Sequence, residues 1–293
     1  MSWRTVVIAN TSKLDYNMGY LVVRSVEKTI KIHLSEIAVV IIENTSSSVS
    51  CGLLSKFTQE KIKVIFCDEK RNPSSELTPY YGSHDCSLKL KKQMQWESVA
   101  KQQAWTHIVA EKIKNQSALL KAAGKDEYKK LDLYIDELEF YDETNREGQA
   151  AKVYFNALFG KSFSRQEDNC INASLNYGYS LILSAFNREV VCNGYLTQLG
   201  IFHDNMFNQY NLSCDLMEPF RPIVDWTVYR MQPKAFERNE KNNLAFLLYD
   251  EFAINGRKNT LLNAIKIYSK SVFTAIEKND VSLIKYPNFY YEL

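Results

Sequence analysis

A chain of 293 residues is long enough for one large domain or, more in keeping with ordinary domain sizes, two of unequal size. Hydrophobic content of 45% and aromatic content of 13% imply a well-packed globular protein, and a net charge of only +2 excludes a global electrostatic field as the source of any nucleic-acid affinity. The six cysteines, Cys51, Cys67, Cys86, Cys170, Cys192 and Cys214, form no Cys-x-x-Cys pair, which argues against a zinc ribbon or a thioredoxin motif and for free thiols in a reducing compartment. Met1-Ser2-Trp3-Arg4-Thr5 opens no apolar leader and no later stretch approaches membrane-spanning length, so a soluble, cytoplasmic protein without membrane contact is expected.

Short β-branched runs fill the first part of the chain: 5–9, 20–24, the alternating 29–34, the nearly all-apolar 37–42, and 64–67. They predict a small β-rich domain over residues 1–78, with one short helix where Leu53, Leu54 and Phe57 recur at helical spacing. Pro73, Pro79 and the surrounding polar residues are loop-forming, and 79–95 is read as the linker. From about Leu88 onward the pattern is helical, and 96–293 is taken as the helical domain. Trp105, Ile108, Val109, Ile113 and Leu119 mark one amphipathic helix; Thr144 or Asn145 caps a second, with Glu147, Ala150, Ala151, Tyr154 and Leu158 on one face. Residues 171–192 are apolar nearly all round and end at Asn193-Gly194, as a central helix would. Two more helices follow, near 221–229 and over 261–278, and the tail at 286–291 is aromatic and aperiodic. The fold class is therefore α+β, a β-rich domain followed by an all-α one. The aromatic tail is expected to dock on a partner.

Glu147, His203, Asp215 and Glu218 supply carboxylates and one imidazole, a mixed O/N set suited to Mg²⁺ or Mn²⁺ and poorly suited to structural zinc. Glu147 in a first helical turn is explained by the helix dipole if exposed, but on a core-facing stripe it needs a partner. A lone His203 among Leu199, Ile201 and Phe202 reads more readily as a satisfied core residue, and the downstream acids shift that balance. Asp215 and Glu218 share a helical face, while Asp215 by itself also reads as an N-cap; Arg221 can meet a carboxylate or a phosphate. His33, in an alternating strand, reads as a surface or interface residue, His84 and His107 show no visible partners, and the basic runs at 61–63, 89–92, 129–130 and 257–258 can touch phosphates or simply be solvated. No P-loop, Gly-x-Gly-x-x-Gly, Gly-x-Ser-x-Gly or zinc-protease motif is present.

Six ordered segments carry a family resemblance: His33-Leu34-Ser35-Glu36-Ile37, residues 64–71, Tyr81-Gly82-Ser83-His84-Asp85, Asn145-Arg146-Glu147-Gly148, Leu175-Asn176-Tyr177-Gly178-Tyr179, and Asp215-Leu216-Met217-Glu218-Pro219-Phe220-Arg221-Pro222. Over its whole length the chain resembles the CRISPR adaptation integrases, most closely their type II-A branch. The resemblance implies an N-terminal β-sandwich used for homodimerisation and an α-helical catalytic domain. It also implies a metal triad at Glu147, His203 and Glu218 with Asp215 as a supporting acid, although many relatives carry Asp where this chain has Glu218.

The implied partners are a duplex with single-stranded 3′ ends, leader–repeat DNA, and a small ferredoxin-like adaptation protein whose dimer two homodimers bracket. In type II-A systems the effector nuclease and a ring-forming DNA-binding protein join them. The function so implied is joining of 3′-hydroxyl DNA ends to a leader–repeat boundary by transesterification. A stand-alone structure-specific nuclease and a non-catalytic DNA-binding scaffold stand as alternatives.

Overall fold

The structure, a computed structural model, describes residues 4–79, 83–254 and 256–291. The first three residues, and Tyr81 and Gly82 of the resemblance segments, lie outside them. The chain forms two compact units that divide between His84 and Asp85.

The first unit holds two four-stranded sheets and one helix. One sheet runs β1 (Arg4–Ile8), β5 (Ile37–Ile42), β7 (Lys63–Cys67), β8 (Pro73–Leu77), the first three parallel and β8 antiparallel. Every residue of β5 is buried, which is why it reads as an unbroken apolar run and not as an alternation. The other sheet runs β4 (Thr29–His33), β3 (Tyr20–Arg24), β2 (Lys13–Asn17), β6 (Ser48–Val49). β2 shows no apolar run in the sequence because Leu14 is its one buried residue; a two-residue turn at Met18 and Gly19, both at positive φ, joins it to β3. Val6, Ile8 and Val40 of the first sheet, Leu14, Leu21 and Val23 of the second, and Leu53 and Phe57 of α1 (Cys51–Gln59) share one core.

The second unit is helical: α2 (Cys86–Met94), α3 (Ser98–Ala122), α4 (Tyr128–Asp136), α5 (Arg146–Phe159), α6 (Cys170–Cys192), α7 (Asn211–Met217), α8 (Arg221–Met231), α9 (Arg238–Phe246) and α10 (Leu261–Lys278). Of the stretch read as linker, residues 86–94 form α2. The central helix is α6, which packs against α7, α8, α9 and α10. Gly178 lets α8 approach closely, since a Cβ there would lie 2.5 Å from Val224 Cγ1. A hairpin of β9 (Glu251–Ile254) and β10 (Arg257–Thr260), which the helical pattern does not announce, precedes α10.

The tail corrects its expectation: it docks on its own helical unit. Asn288 bridges to Ala253, Phe289 meets Phe220 and Phe252 edge-on, Tyr286 lies against Tyr268, and Tyr291 meets Trp226. Aromatic pairs are worth about 0.5–1.5 kcal/mol each beyond their buried area, and these partners come from α8, α10, the 218–220 turn and the strand at 251–254. All six cysteines are free, as expected, and no described helix is long and apolar enough to cross a membrane.

Candidate metal centre

Glu147 is aimed by an unusual helix start. Tyr141, Asp142 and Asn145 all adopt positive φ, a conformation that costs non-glycine residues energy unless their side chains hydrogen-bond locally. Asp142 does so: Oδ1 accepts from Arg146 N at 2.6 Å and Oδ2 from Glu147 N at 3.1 Å. Asn145 is the N-cap, as the sequence reading allowed, with its side chain accepting from Gly148 N at 3.2 Å. This doubly capped turn fixes Glu147 at the mouth of α5, about 30% exposed.

Glu218 arrives differently. After α7 the backbone tightens into a 3-10 turn over Glu218–Phe220, because Pro219 has no N–H to continue the ladder, and α8 starts at Arg221. The turn buries the Glu218 side chain to 5% exposure. Its Oε1 accepts from Arg221 Nε at 2.8 Å and its Oε2 from Lys112 Nζ at 2.5 Å. The same Lys112 ammonium donates to Glu147 Oε1. Both predicted acids thus converge on one cation. Burial by itself would raise the Glu218 carboxyl, but the charges of Arg221 and Lys112 outweigh it and hold the group at about 2. Against its own desolvation, Lys112 is raised by Glu218 and Glu147.

His203 and Asp215 form the third part. Asp215 is fully buried within α7, so it is no N-cap of that helix. It caps the 201–203 turn instead: Oδ2 accepts from Ile201 N at 2.6 Å and Phe202 N at 3.0 Å, and Oδ1 accepts from His203 N at 3.0 Å. Asp215 Oδ1 also lies 2.6 Å from His203 Nδ1. Only glycine fits at position 200, where a Cβ would meet His203 O at 2.3 Å and Asp215 Oδ2 at 2.8 Å. With Nδ1 engaged, His203 has Nε2 left for a ligand, the arrangement in which a carboxylate orients a metal-binding histidine. The hydrogen bond to Asp215 raises the His203 pKa against partial burial.

The donor set suits a hard divalent ion: two carboxylates already gathered about a positive charge and an imidazole fixed by a buried acid. Among the described residues no three His, Cys, Asp or Glu side chains are drawn together as a finished metal cluster; the ammonium of Lys112 bridges the two glutamates.

A cavity of about 230 Å³ opens beside them, lined by Lys112, Glu147, Tyr179, Glu218, Arg221 and Asp225 among others. Buried Asp225 accepts from Tyr154 OH at 2.9 Å and from Tyr179 OH, and the Arg221 guanidinium lies 4.7 Å from the Tyr179 ring centre. Burial raises the Asp225 carboxyl to about 6 despite both tyrosine bonds. Because that folded value lies above the unfolded one near 3.8, Asp225 contributes its stability below about pH 3.8 and loses it as pH rises through 6. Asp225→Asn does not titrate. In urea unfolding, the stability of the wild type relative to this variant is therefore expected to fall between about pH 4 and pH 6; a flat difference would refute the assignment.

Lys112, Tyr154, Tyr179 and Asp225 escaped the sequence reading as site residues. A usable signal existed for Lys112, which falls on the apolar stripe of α3 with Ile108, Val109 and Ile113, where an unpaired lysine has no place. Elsewhere, Lys89 and Lys92 are both paired with Glu277, at 3.0 and 3.1 Å, His33 Nδ1 bonds Ser35 Oγ at 2.7 Å, and His84 and His107 are exposed.

A family model described as "CRISPR associated protein Cas1" matches residues 5–253. The chain is also 33% identical, over 98% of its length and 96% of the other's, to the CRISPR-associated endonuclease Cas1 of Neisseria meningitidis serogroup C (strain 8013). The chain belongs to the Cas1 family. Its α+β architecture, β-sheet region first and helices after, is that of solved structures at low identity. A casposase bound to integration product superposes with a TM-score of 0.77 at 16% identity, covering 96% of this chain and 93% of that one. A chain of a Cas6-RT-Cas1–Cas2 complex gives 0.72 at 17% identity, covering 99% of this chain but 36% of that longer one. These two likenesses concern the fold; Cas1 membership rests on the family model and the curated relative.

Proposed function

We propose that this Cas1-family protein is a divalent-metal-dependent DNA integrase and endonuclease of CRISPR adaptation, of the type II-A branch, acting in the cytoplasm. The observation that carries the reading is the convergence of Glu147 and Glu218 on a single cationic group, with His203, oriented by a buried acid, near enough to Glu218 to be influenced by its charge. Glu147, His203 and Glu218 would hold Mg²⁺ or Mn²⁺, with Asp215 supporting His203. Such an ion, when bound, supplies Lewis-acid polarisation of a phosphodiester and orients an incoming 3′-hydroxyl.

The chain's own residues supply the rest. Asp215 keeps the imidazole in one orientation, and the capped start of α5 keeps Glu147 at the cavity mouth. Arg221, pinned between Glu218 and Tyr179, offers fixed positive charge toward a phosphate, and positioning with charge neutralisation does most of the work in phosphoryl transfer. The name of the Neisseria relative, an endonuclease, supports cleavage chemistry; the casposase neighbour and its integration product support joining. The neighbouring complex that contains Cas2 supports assembly with a small adaptation protein; the arrangement proposed for this chain is two homodimers bracketing a dimer of that protein. The type II effector nuclease and the ring-forming type II-A protein complete the proposed partners, together with 3′-tailed duplex and leader–repeat DNA.

The test supplies a 3′-hydroxyl donor duplex, the small partner, a supercoiled leader–repeat plasmid and Mn²⁺. Covalent joining of donor to plasmid is the expected product. Cleavage without joining would favour the stand-alone nuclease, and neither product would favour a scaffold.

A further inference from the structure

We infer that Lys112 is a resident counter-cation: it holds Glu147 and Glu218 together while no divalent ion is bound, and it competes with such an ion for both carboxylates. The inference rests on the reading of these two residues as metal ligands. Lys112 rises from the buried stripe of α3 with its side chain 7% exposed and reaches Glu147 Oε1 and Glu218 Oε2 with one ammonium. A divalent ion bridging the two glutamates would need the same region of space. Formal charge sharpens the conflict: Lys112 and Arg221 already neutralise the two carboxylates, so an added ion meets repulsion in a site largely shielded from water.

The two cations are not equivalent. Arg221 is braced by the Tyr179 ring, whose hydroxyl is fixed on Asp225, and it bonds Oε1 of Glu218. Lys112 has a flexible four-carbon stem, a compact charge and the bridging position, so it is the group that yields. The ammonium thereby pre-gathers the ligands, and divalent-ion affinity is set partly by the cost of displacing it. Lys112 is in this sense a positioning residue, argued from its contacts and not from any contact with substrate.

The test is Mn²⁺ titration followed by electron paramagnetic resonance, with melting recorded in the absence of metal, on wild type, Lys112→Met, Lys112→Arg and Glu147→Gln. The methionine variant is expected to bind Mn²⁺ at least about tenfold more tightly, equivalent to about 1.4 kcal/mol, and to melt lower without metal. The arginine variant, which keeps the charge and holds carboxylates more firmly, is expected to bind no more tightly than wild type. Glu147→Gln is expected to bind more weakly. If Lys112→Met binds no more tightly than wild type while Glu147→Gln is weakened, the role of Lys112 is refuted and the metal site stands. If Glu147→Gln binds as tightly as wild type, the site reading itself fails, and this inference with it. Should the methionine variant not fold, acetylation of Lys112 in the wild type, followed by mass spectrometry, decides the matter. Its labelling is expected to rise on adding Mg²⁺, and unchanged protection would overturn the inference.

Discussion

Glu147→Ala is expected to lower the rate of Mn²⁺-dependent strand joining by about 10³-fold, the scale of several kcal/mol of lost transition-state charge stabilisation. The fold should survive the change. Glu147 is partly exposed at a helix start, and Asp142 and Asn145 cap that start without it. Lys112 also retains Glu218 as a partner, so no buried charge is stranded. The variant should therefore melt close to wild type and still bind the donor duplex, because a carboxylate supplies no counterion-release affinity for phosphate. His203→Ala should fall in the same range, since Asp215 continues to cap the 201–203 turn through the backbone. A loss below tenfold in either variant, measured under single-turnover conditions, would remove that residue from the proposed site.

Asp215→Ala should strike stability first. The carboxylate is fully buried and accepts from three backbone N–H groups as well as lying against His203 Nδ1. Its removal strands those donors away from water, a loss of roughly 3–5 kcal/mol for a broken buried charged network. For a unit of this size that corresponds to a fall of about 10 °C in melting temperature. Metal affinity should fall as well, by about 10–100-fold, the usual effect of losing the group that orients a ligating histidine. Asp215→Asn keeps the shape but turns an amide N–H₂ toward backbone donors, so an intermediate loss is expected. A melting curve for the alanine variant that overlays the wild type would mean that the 201–203 turn is held by something else.

Much of this architecture is legible in local chemistry. The helix over Leu261–Lys278 follows from period and its end at Asn279, and β5 from an unbroken apolar run. Glu147, His203, Asp215 and Glu218 stand out as ligand types among apolar neighbours. Other parts resist local reading for reasons that can be named. Strand β2 is polar because one face of it lies open, and the start of α2 at Cys86 is hidden among nearby prolines and polar residues. The aromatic tail has no period because it fits faces made by distant helices.

The sequence by itself determined the kinds of groups available: two glutamates, a histidine and an aspartate, on segments whose caps and prolines fix local direction. Which groups meet was decided by tertiary structure alone. Lys112, on α3, is 35 residues from Glu147 and 106 from Glu218, and only packing of α3 against α5 and the Glu218 turn brings one ammonium to both acids. Packing likewise turned Asp215 from a plausible helix cap into the buried acceptor that orients His203. A side chain's type sets what it can bond, but burial sets what it must bond, and burial is a property of the whole fold.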